Sequence, residues 1–235
     1  MKPHRFNEAA PLILAVDTTH EFGSLALLRG ERTLEEIALH SPSGFAHVVY
    51  GQLSALLDRS AVRLESIDCF AAASGPGSFT GVRVGLACVK GLAAALGKPA
   101  VAVSNLQAIA TFGNAPLRAV ILDARRGEIY GAVYDAKGNL ISPEVVTKLA
   151  DWLASFPPSF SKAELEFVST DFAPFGEALA VAGFAGAQQI AAPHVLAAAI
   201  GRIALAQFLR GQACDPAALD ANYVRRSDAE LFWKE

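Results

Sequence analysis

The chain is poor in the residues that several common kinds of site require. Its 235 residues include three cysteines and five histidines. Cys69, Cys88 and Cys214 have no CxxC spacing, which argues against a disulfide framework and predicts a reducing compartment. The histidines never stand three or four residues apart, and no cysteine pair lies near them. The sequence therefore predicts no metal site.

An excess of positive charge is also lacking. Twenty Lys and Arg residues face 23 Asp and Glu residues, giving a formal net charge of −3. That balance argues against a protein that binds nucleic acid through its overall field. The first apolar run, residues 11–16, ends at Asp17 and is too short for a secretory core or a membrane span. We expect a soluble cytoplasmic protein with no membrane partner.

Two passages about a hundred residues apart follow the same order of features. An apolar strand at residues 12–16 delivers Asp17 into a turn, and a strand at residues 119–122 delivers Asp123 in the same way. The repetition predicts two related α/β subdomains. Strand-end carboxylates either hold a hydrated Mg²⁺ or accept backbone N–H groups of their own turns, and we favour the second alternative.

Alternation of helices and strands predicts a mixed sheet with helices on its faces. In the first half, helices are predicted at residues 44–58 and 81–96. In the second half, they are predicted at residues 147–155, 172–182 and 193–209.

A glycine-rich turn, residues 74–85, joins an apolar strand to the helix at residues 81–96. Its Ser and Thr hydroxyls can cap that helix, and the first free N–H groups of the helix could hold an anion. A phosphate loop of the Walker type would carry Lys after its last glycine, where this chain has Val82 after Gly81. The structural cap is favoured over the phosphate cradle. Ser78 has no recognisable His and Asp partners in the sequence.

Two predicted helices have more apolar surface than one sheet can cover. The apolar residues of the helix at residues 44–58 span an arc of roughly 200°, although about 100° suffices for packing on a sheet. The helix at residues 81–96 carries Arg83 and Lys90 as its only charges. The surplus is either buried within the subunit or forms an association surface, and the residues alone leave both alternatives open. The predicted interface consists of Phe45, Val48, Val49, Gln52, Leu56, Arg83, Leu86, Ala87, Lys90 and Ala94.

Five segments together resemble the TsaB (formerly YeaZ) family: residues 13–19, 75–85, 102–106, 121–130 and the Tyr-x-Arg of residues 223–225. The resemblance implies an α/β, actin-like ATPase (ASKHA) fold of two ribonuclease H-like subdomains, with mixed sheets flanked by helices. The expected division is an N-terminal extension at residues 1–11, a first subdomain with the dimerisation helices at 12–113, and a smaller second subdomain with a C-terminal helix and tail at 114–235.

The resemblance also implies a function. Proteins of this family are non-catalytic subunits that support a TsaD-type transferase, which puts a threonylcarbamoyl group on the adenosine next to the anticodon of tRNAs reading codons that begin with A. A TsaE-type ATPase joins the assembly. The implied pairing, with the transferase or as a homodimer when alone, uses the first two long helices. Transfer RNA is expected only through the complex.

No intrinsic cofactor is expected, and ATP with magnesium and a metal are expected on the partner subunits. Where the transferase has its His-x-x-x-His metal motif, this chain has Asn105 and Ile109. The main rival is an ATP-dependent phosphotransferase of the same fold class, which would bind ATP at Asp17, residues 75–81 and Asp123. A glycoprotease would need a metal-activated water, and the sequence offers no ligand set for one.

Overall fold

The computed structural model describes residues 10–158, 160, 164–184 and 186–225. Residues 1–9 of the predicted N-terminal extension and residues 226–235 of the predicted tail lie outside the described residues. Two five-stranded sheets with helices account for most of the described chain.

The first sheet has β1 at its centre, and all six residues of β1 are buried. The strand is antiparallel to β2 and parallel to β4, and the sheet order is β3-β2-β1-β4-β5. Gly30, at a φ of 56°, makes the tight turn between β2 and β3, since glycine adopts this conformation without strain. The strands are β1 (Leu12–Asp17), β2 (Phe22–Arg29), β3 (Arg32–His40), β4 (Cys69–Gly75) and β5 (Ala100–Ser104).

The second sheet repeats this arrangement with β6 in the position of β1. Strand β6 is antiparallel to β7 and parallel to β9, and the order is β10-β9-β6-β7-β8. The strands are β6 (Leu117–Arg125), β7 (Glu128–Asp135), β8 (Leu140–Thr147), β9 (Leu165–Ser169) and β10 (Gln188–Ala191). Three antiparallel strands followed by parallel ones in both sheets confirm the predicted fold of two ribonuclease H-like subdomains.

The described residues contain six α-helices: α1 (Val49–Arg59), α2 (Phe79–Leu96), α3 (Asn105–Ala110), α4 (Leu149–Ala154), α5 (Gly176–Leu179) and α6 (Ala197–Leu209). Four predicted helices need correction, and one of them is α6, which begins at Ala197 instead of residue 193. Helix α1 begins at Val49 instead of residue 44, and α4 begins at Leu149 because Thr147 ends β8. The helix predicted at residues 172–182 shortens to α5 and a following π-turn. Strands β8, β9 and β10 were not predicted.

The described chain packs as two units whose boundaries differ from the predicted division at residue 113. The first unit contains residues 10–74, 80–103 and 197–221, and the second contains residues 75–79, most of 104–196, and 222–225. Helix α3 and the residues after it therefore belong to the second unit, whereas α6 belongs to the first.

Helix α6 belongs to the first unit because its N-terminus is bound to that sheet. The backbone N–H of Ala197 donates to Ser24 Oγ at 3.0 Å, and that of Ala198 donates to Glu36 Oε1 at 2.7 Å. These acceptors satisfy two of the N–H groups that the start of a helix leaves unpaired. Gly201 lies so close to Leu28 that an added Cβ would come within 2.3 Å of Leu28 Cδ1. The sequence-based division missed this packing because α6 follows the second sheet in the chain.

Burial of two thiols predicts a measurable resistance to alkylation. Desolvation raises the pKa of Cys69 to about 12 and that of Cys88 to about 11. Because the thiolate is the reactive form, we expect both to be blocked from a thiol-specific reagent at pH 8 in the native protein and to react on unfolding. Since the native pKa values are raised, the stabilisation that they contribute is complete below the unfolded thiol pKa and is lost as the pH rises through the native values. Rapid native labelling of either thiol, mapped by mass spectrometry, would contradict this.

Candidate functional site

Helix α2 packs against the carboxyl end of β1 at backbone contact distance. Thr18, which follows β1, donates from Oγ1 to the carbonyl of Gly81 at 2.7 Å. A Cβ on Gly81 would lie 2.0 Å from the Thr18 carbonyl oxygen, and one on Gly85 would lie 2.7 Å from Thr18 Oγ1. Gly81 and Gly85 of the glycine-rich segment thus serve helix-to-strand packing. The first turn of α2 occupies the space next to the strand end.

The carboxylate of Asp17 accepts hydrogen bonds from within its own turn. Its Oδ1 accepts from the Thr19 backbone N–H at 2.9 Å and from Thr19 Oγ1 at 2.6 Å. Asp17, Thr18 and Thr19 are all buried. A carboxylate held in this way satisfies local N–H and O–H groups, which is the second of the two alternatives considered for the sequence.

Asp123, the corresponding residue of the second unit, is arranged alike. Its Oδ1 accepts from the Arg125 backbone N–H at 2.8 Å, and its Oδ2 lies 3.4 Å from Arg125 Nη1. Arg125 and Arg126 have φ values of 65° and 59°, so the turn between β6 and β7 is held in a left-handed conformation. Asp123 stabilises that turn by accepting its N–H group.

The Gly75–Phe79 loop is bound by Asn105, the residue that stands where the resemblance implies a metal ligand in the transferase. The backbone N–H of Gly75 donates to Asn105 Oδ1 at 3.1 Å, and Asn105 is buried. Ile109, one helical turn further on, is fully buried as well. Among the described residues, no group of three or more His, Cys, Asp or Glu side chains could hold a metal ion.

Four residues of the predicted interface belong instead to the core of the first unit: Phe45, Val49, Leu56 and Leu86. Val49 is 1% exposed and Leu86 is 6% exposed. Phe45 precedes α1 and packs over Gly23, whose added Cβ would come within 2.9 Å of the ring. These side chains belong to one core cluster with residues of β1, β2 and β4, so part of the apolar surplus is used inside the fold.

The other six predicted residues reach the surface. Gln52, Arg83, Ala87 and Ala94 are exposed, whereas Val48 and Lys90 are half-buried. On α2 the spacing 83, 87, 90, 94 is that of one helical stripe, and Gly91 and Ala95 beside it are exposed too. We call Arg83, Ala87, Lys90, Gly91 and Ala94 the outer face of α2. Its small residues let another backbone approach closely, and its two cations favour an acidic neighbour.

Two exposed residues on α1 and α2, Tyr50 and Gly91, are not among the residues of the predicted interface. Tyr50 on α1 is 54% exposed, and its pKa is raised by partial burial and by the neighbouring Cys88 of α2. Tyr50 therefore spans from α1 to α2. Gly91 leaves open space around its missing Cβ. The available signal was a glycine in the middle of a helix, which costs stability and requires a reason.

By length and composition α2 could cross a membrane. In the structure its buried residues pack on the first sheet, which is the arrangement of an apolar core helix.

Comparisons with known proteins match this architecture. The family model described as tRNA N6-adenosine threonylcarbamoyltransferase, TsaD, matches residues 46–210. The chain is 30% identical over 234 residues to the tRNA threonylcarbamoyladenosine biosynthesis protein TsaB of Bacillus subtilis, covering 95% of this chain and 98% of that protein. It is 37% identical over 124 residues to the protein of the same name from Haemophilus influenzae, covering 50% of this chain and 51% of that protein.

Among solved structures, YeaZ from Pseudomonas aeruginosa has a TM-score of 0.73 and 26% identity, covering 91% of this chain and 99% of that one. The paired ribonuclease H-like sheets make this an actin-like protein of the ASKHA class. Within that class, the chain belongs to the TsaB (YeaZ) family.

Proposed function

We propose that this chain is a non-catalytic subunit of the cytoplasmic machinery for tRNA threonylcarbamoyladenosine synthesis. In this role it binds and supports a TsaD-type transferase acting on the adenosine next to the anticodon of tRNAs that read A-starting codons. The names of its relatives support the pathway. The proposal depends most on one observation, the close packing of Gly81 on Thr18 beside a carboxylate already bonded within its turn.

That packing supports the proposal that the chain itself catalyses no reaction. In the first unit a nucleotide phosphate would have to displace the first turn of α2, because the space between Gly81 and Thr18 does not admit even a methyl group. In the second unit Asn105 bonds the loop backbone and Ile109 fills the core, so neither side chain is placed as a metal ligand. We therefore assign ATP, magnesium and the metal to the partner subunits.

The outer face of α2 supports the partner role. Ala87, Gly91 and Ala94 present little side-chain bulk, and α2 contains no acidic residue. A helix of the transferase packed there would bury small apolar groups between two cations. The same face used by a second copy of this chain would give a homodimer that excludes the transferase. In our proposal, a TsaE-type ATPase binds this assembly only after the heterodimer has formed.

Introducing a carboxylate at this face tests the proposal. Co-expression with the transferase of the same organism is expected to give a stable complex that modifies tRNA, with neither subunit active alone. Ala87→Glu or Ala94→Glu should weaken the complex by about 3 kcal/mol, roughly a hundredfold in Kd, because the longer side chain would keep the partner helix from packing closely and its charge would lose water in the contact. Titration calorimetry and mass spectrometry of tRNA nucleosides provide the two measurements.

Ala150→Glu is the matched control, because Ala150 is an exposed alanine on α4 of the second unit. It should leave binding and modification unchanged. Modification by this chain without the transferase would contradict the non-catalytic role. Heat released on adding ATP and magnesium to the chain alone would favour the phosphotransferase alternative. Equal binding by Ala87→Glu, Ala94→Glu and Ala150→Glu would place the interface elsewhere.

A further inference from the structure

Two aromatic rings lie exposed side by side in the second unit. The rings of Phe79 and Tyr223 have their centroids 5.8 Å apart and are tilted by 35°. Phe79 is 43% exposed and Tyr223 is 46% exposed, so both rings present part of their surface to solvent. Single exposed aromatic residues are normal, but two adjacent exposed rings form a contiguous patch of the kind that marks a binding surface. The proposed transferase contact on α2 does not use this pair.

The chain on both sides of Tyr223 is firmly bound, which fixes where its ring points. We call residues 222–225 the C-terminal strap. At its start, Asn222 Nδ2 donates to Glu144, which also accepts from Tyr134 at 2.6 Å and from Ser104. The strap is therefore held by a carboxylate that already orders β7 and the start of α3.

At its other end the strap is bound by Arg225. The guanidinium donates to the Ala124 carbonyl at 2.8 Å, pairs with Glu128 and lies 5.8 Å from the centroid of the Tyr130 ring. The Arg225 side chain is only 19% exposed, so its charge interacts mainly with Glu128 of the same unit. With both ends held, ordering Tyr223 for a ligand costs little conformational entropy.

Two arginines stand next to the point where the strap is bound. Arg125 and Arg126 directly follow Ala124, and both are exposed. The Arg125 side chain is 86% exposed, and its contact to Asp123 is long at 3.4 Å, so water screens it. Only Val224 separates Tyr223 from Arg225 in the strap, so their Cα atoms are at most about 7 Å apart. The aromatic pair and the cationic turn thus lie on neighbouring parts of one unit.

We infer that Phe79, Tyr223, Arg125 and Arg126 form a contact site for an unpaired stretch of RNA. Exposed aromatic rings stack on bases that are not in a helix, and arginines bind the adjoining phosphates. The inference rests on the proposed function, because that function brings tRNA to this chain. It deepens that function by giving the subunit its own RNA contact, although the chain as a whole is acidic. A protein partner would use the rings without needing the two cations.

Removing the Tyr223 ring is the direct test. Binding of a fluorescent, unstructured twelve-nucleotide RNA and of the tRNA transcript is measured by anisotropy on the complex with the transferase, or on the chain alone if no complex forms. Tyr223→Ser should raise both Kd values about tenfold or more, and Tyr223→Phe should restore them. Arg125→Gln with Arg126→Gln should weaken binding and flatten its salt dependence.

The chain offers a matched control in Phe22, another exposed aromatic residue, whose ring stacks on His40 in the first unit. Phe22→Ser should leave RNA binding unchanged. Equal RNA affinities for wild type and Tyr223→Ser, or no RNA binding by wild type, would overturn the inference. So would a Tyr223→Ser variant that loses the transferase but keeps RNA binding, since the pair would then contact protein. Failure of the proposed function differs from all of these, because wild type itself would then not bind the transferase.

Discussion

Replacing Gly81 by alanine is expected to lower the free energy of unfolding by about 4 kcal/mol, equivalent to a fall of roughly 8–16 °C in melting temperature for a chain of this size. The added methyl group would lie 2.0 Å from the Thr18 carbonyl oxygen. Backbone atoms on both sides of the contact leave no flexible side chain to move away. Either α2 shifts outward from β1 or the Thr18 turn distorts, and circular dichroism during thermal unfolding measures the cost.

Gly91→Ala is the control on the same helix. Gly91 is exposed, and nothing lies within 4 Å of an added Cβ. Alanine at this site should raise stability by about 0.5–1 kcal/mol, because it lowers the backbone entropy of the unfolded chain. If Gly81→Ala were as stable as Gly91→Ala, the close packing of α2 on β1 would be wrong, and the space beside Asp17 would be open to a ligand.

The repeated order of strand, carboxylate, turn and strand was enough to predict the duplicated sheets. Those features are local: continuous apolar runs such as residues 12–16, and turns that begin at the Asp that ends a strand. Strand β10 escaped prediction for an equally physical reason. It is an edge strand in which Ile190 is only half-buried and its neighbours are exposed, so no apolar alternation marks it.

The predicted interface mixes exposed residues with core residues, because helical periodicity identifies an apolar face without saying what covers it. The apolar arc of the first helix was judged against one sheet alone. In the structure that helix also lies beside α2, where Tyr50 meets Cys88, so a second neighbour uses part of the arc. Periodicity correctly selected Ala87 and Ala94 as surface residues. It could not separate them from Leu86, because tertiary packing decides which flank of the stripe is covered.

Val49→Glu is therefore expected to unfold the first unit instead of merely preventing association. Val49 is 1% exposed and packs among the apolar side chains of the first core. Burying a carboxylate there without a partner should cost about 5 kcal/mol or more, a large part of the stability of a typical domain. We expect loss of the cooperative thermal transition at neutral pH, and aggregated or proteolysed protein on expression.

Ala87→Glu introduces the same charge at a surface residue. It therefore separates loss of association from loss of stability. Glu at this site lies four residues after Arg83 and three before Lys90, so weak ion pairs along the helix offset the lower helix propensity. The isolated variant should melt within about 0.5 kcal/mol of wild type while failing to bind the transferase. A native melting temperature for Val49→Glu would put Val49 at the surface, as the sequence alone predicted. A destabilised Ala87→Glu would mean that the outer face of α2 is covered by the chain itself, and the association surface would have to be sought on other elements.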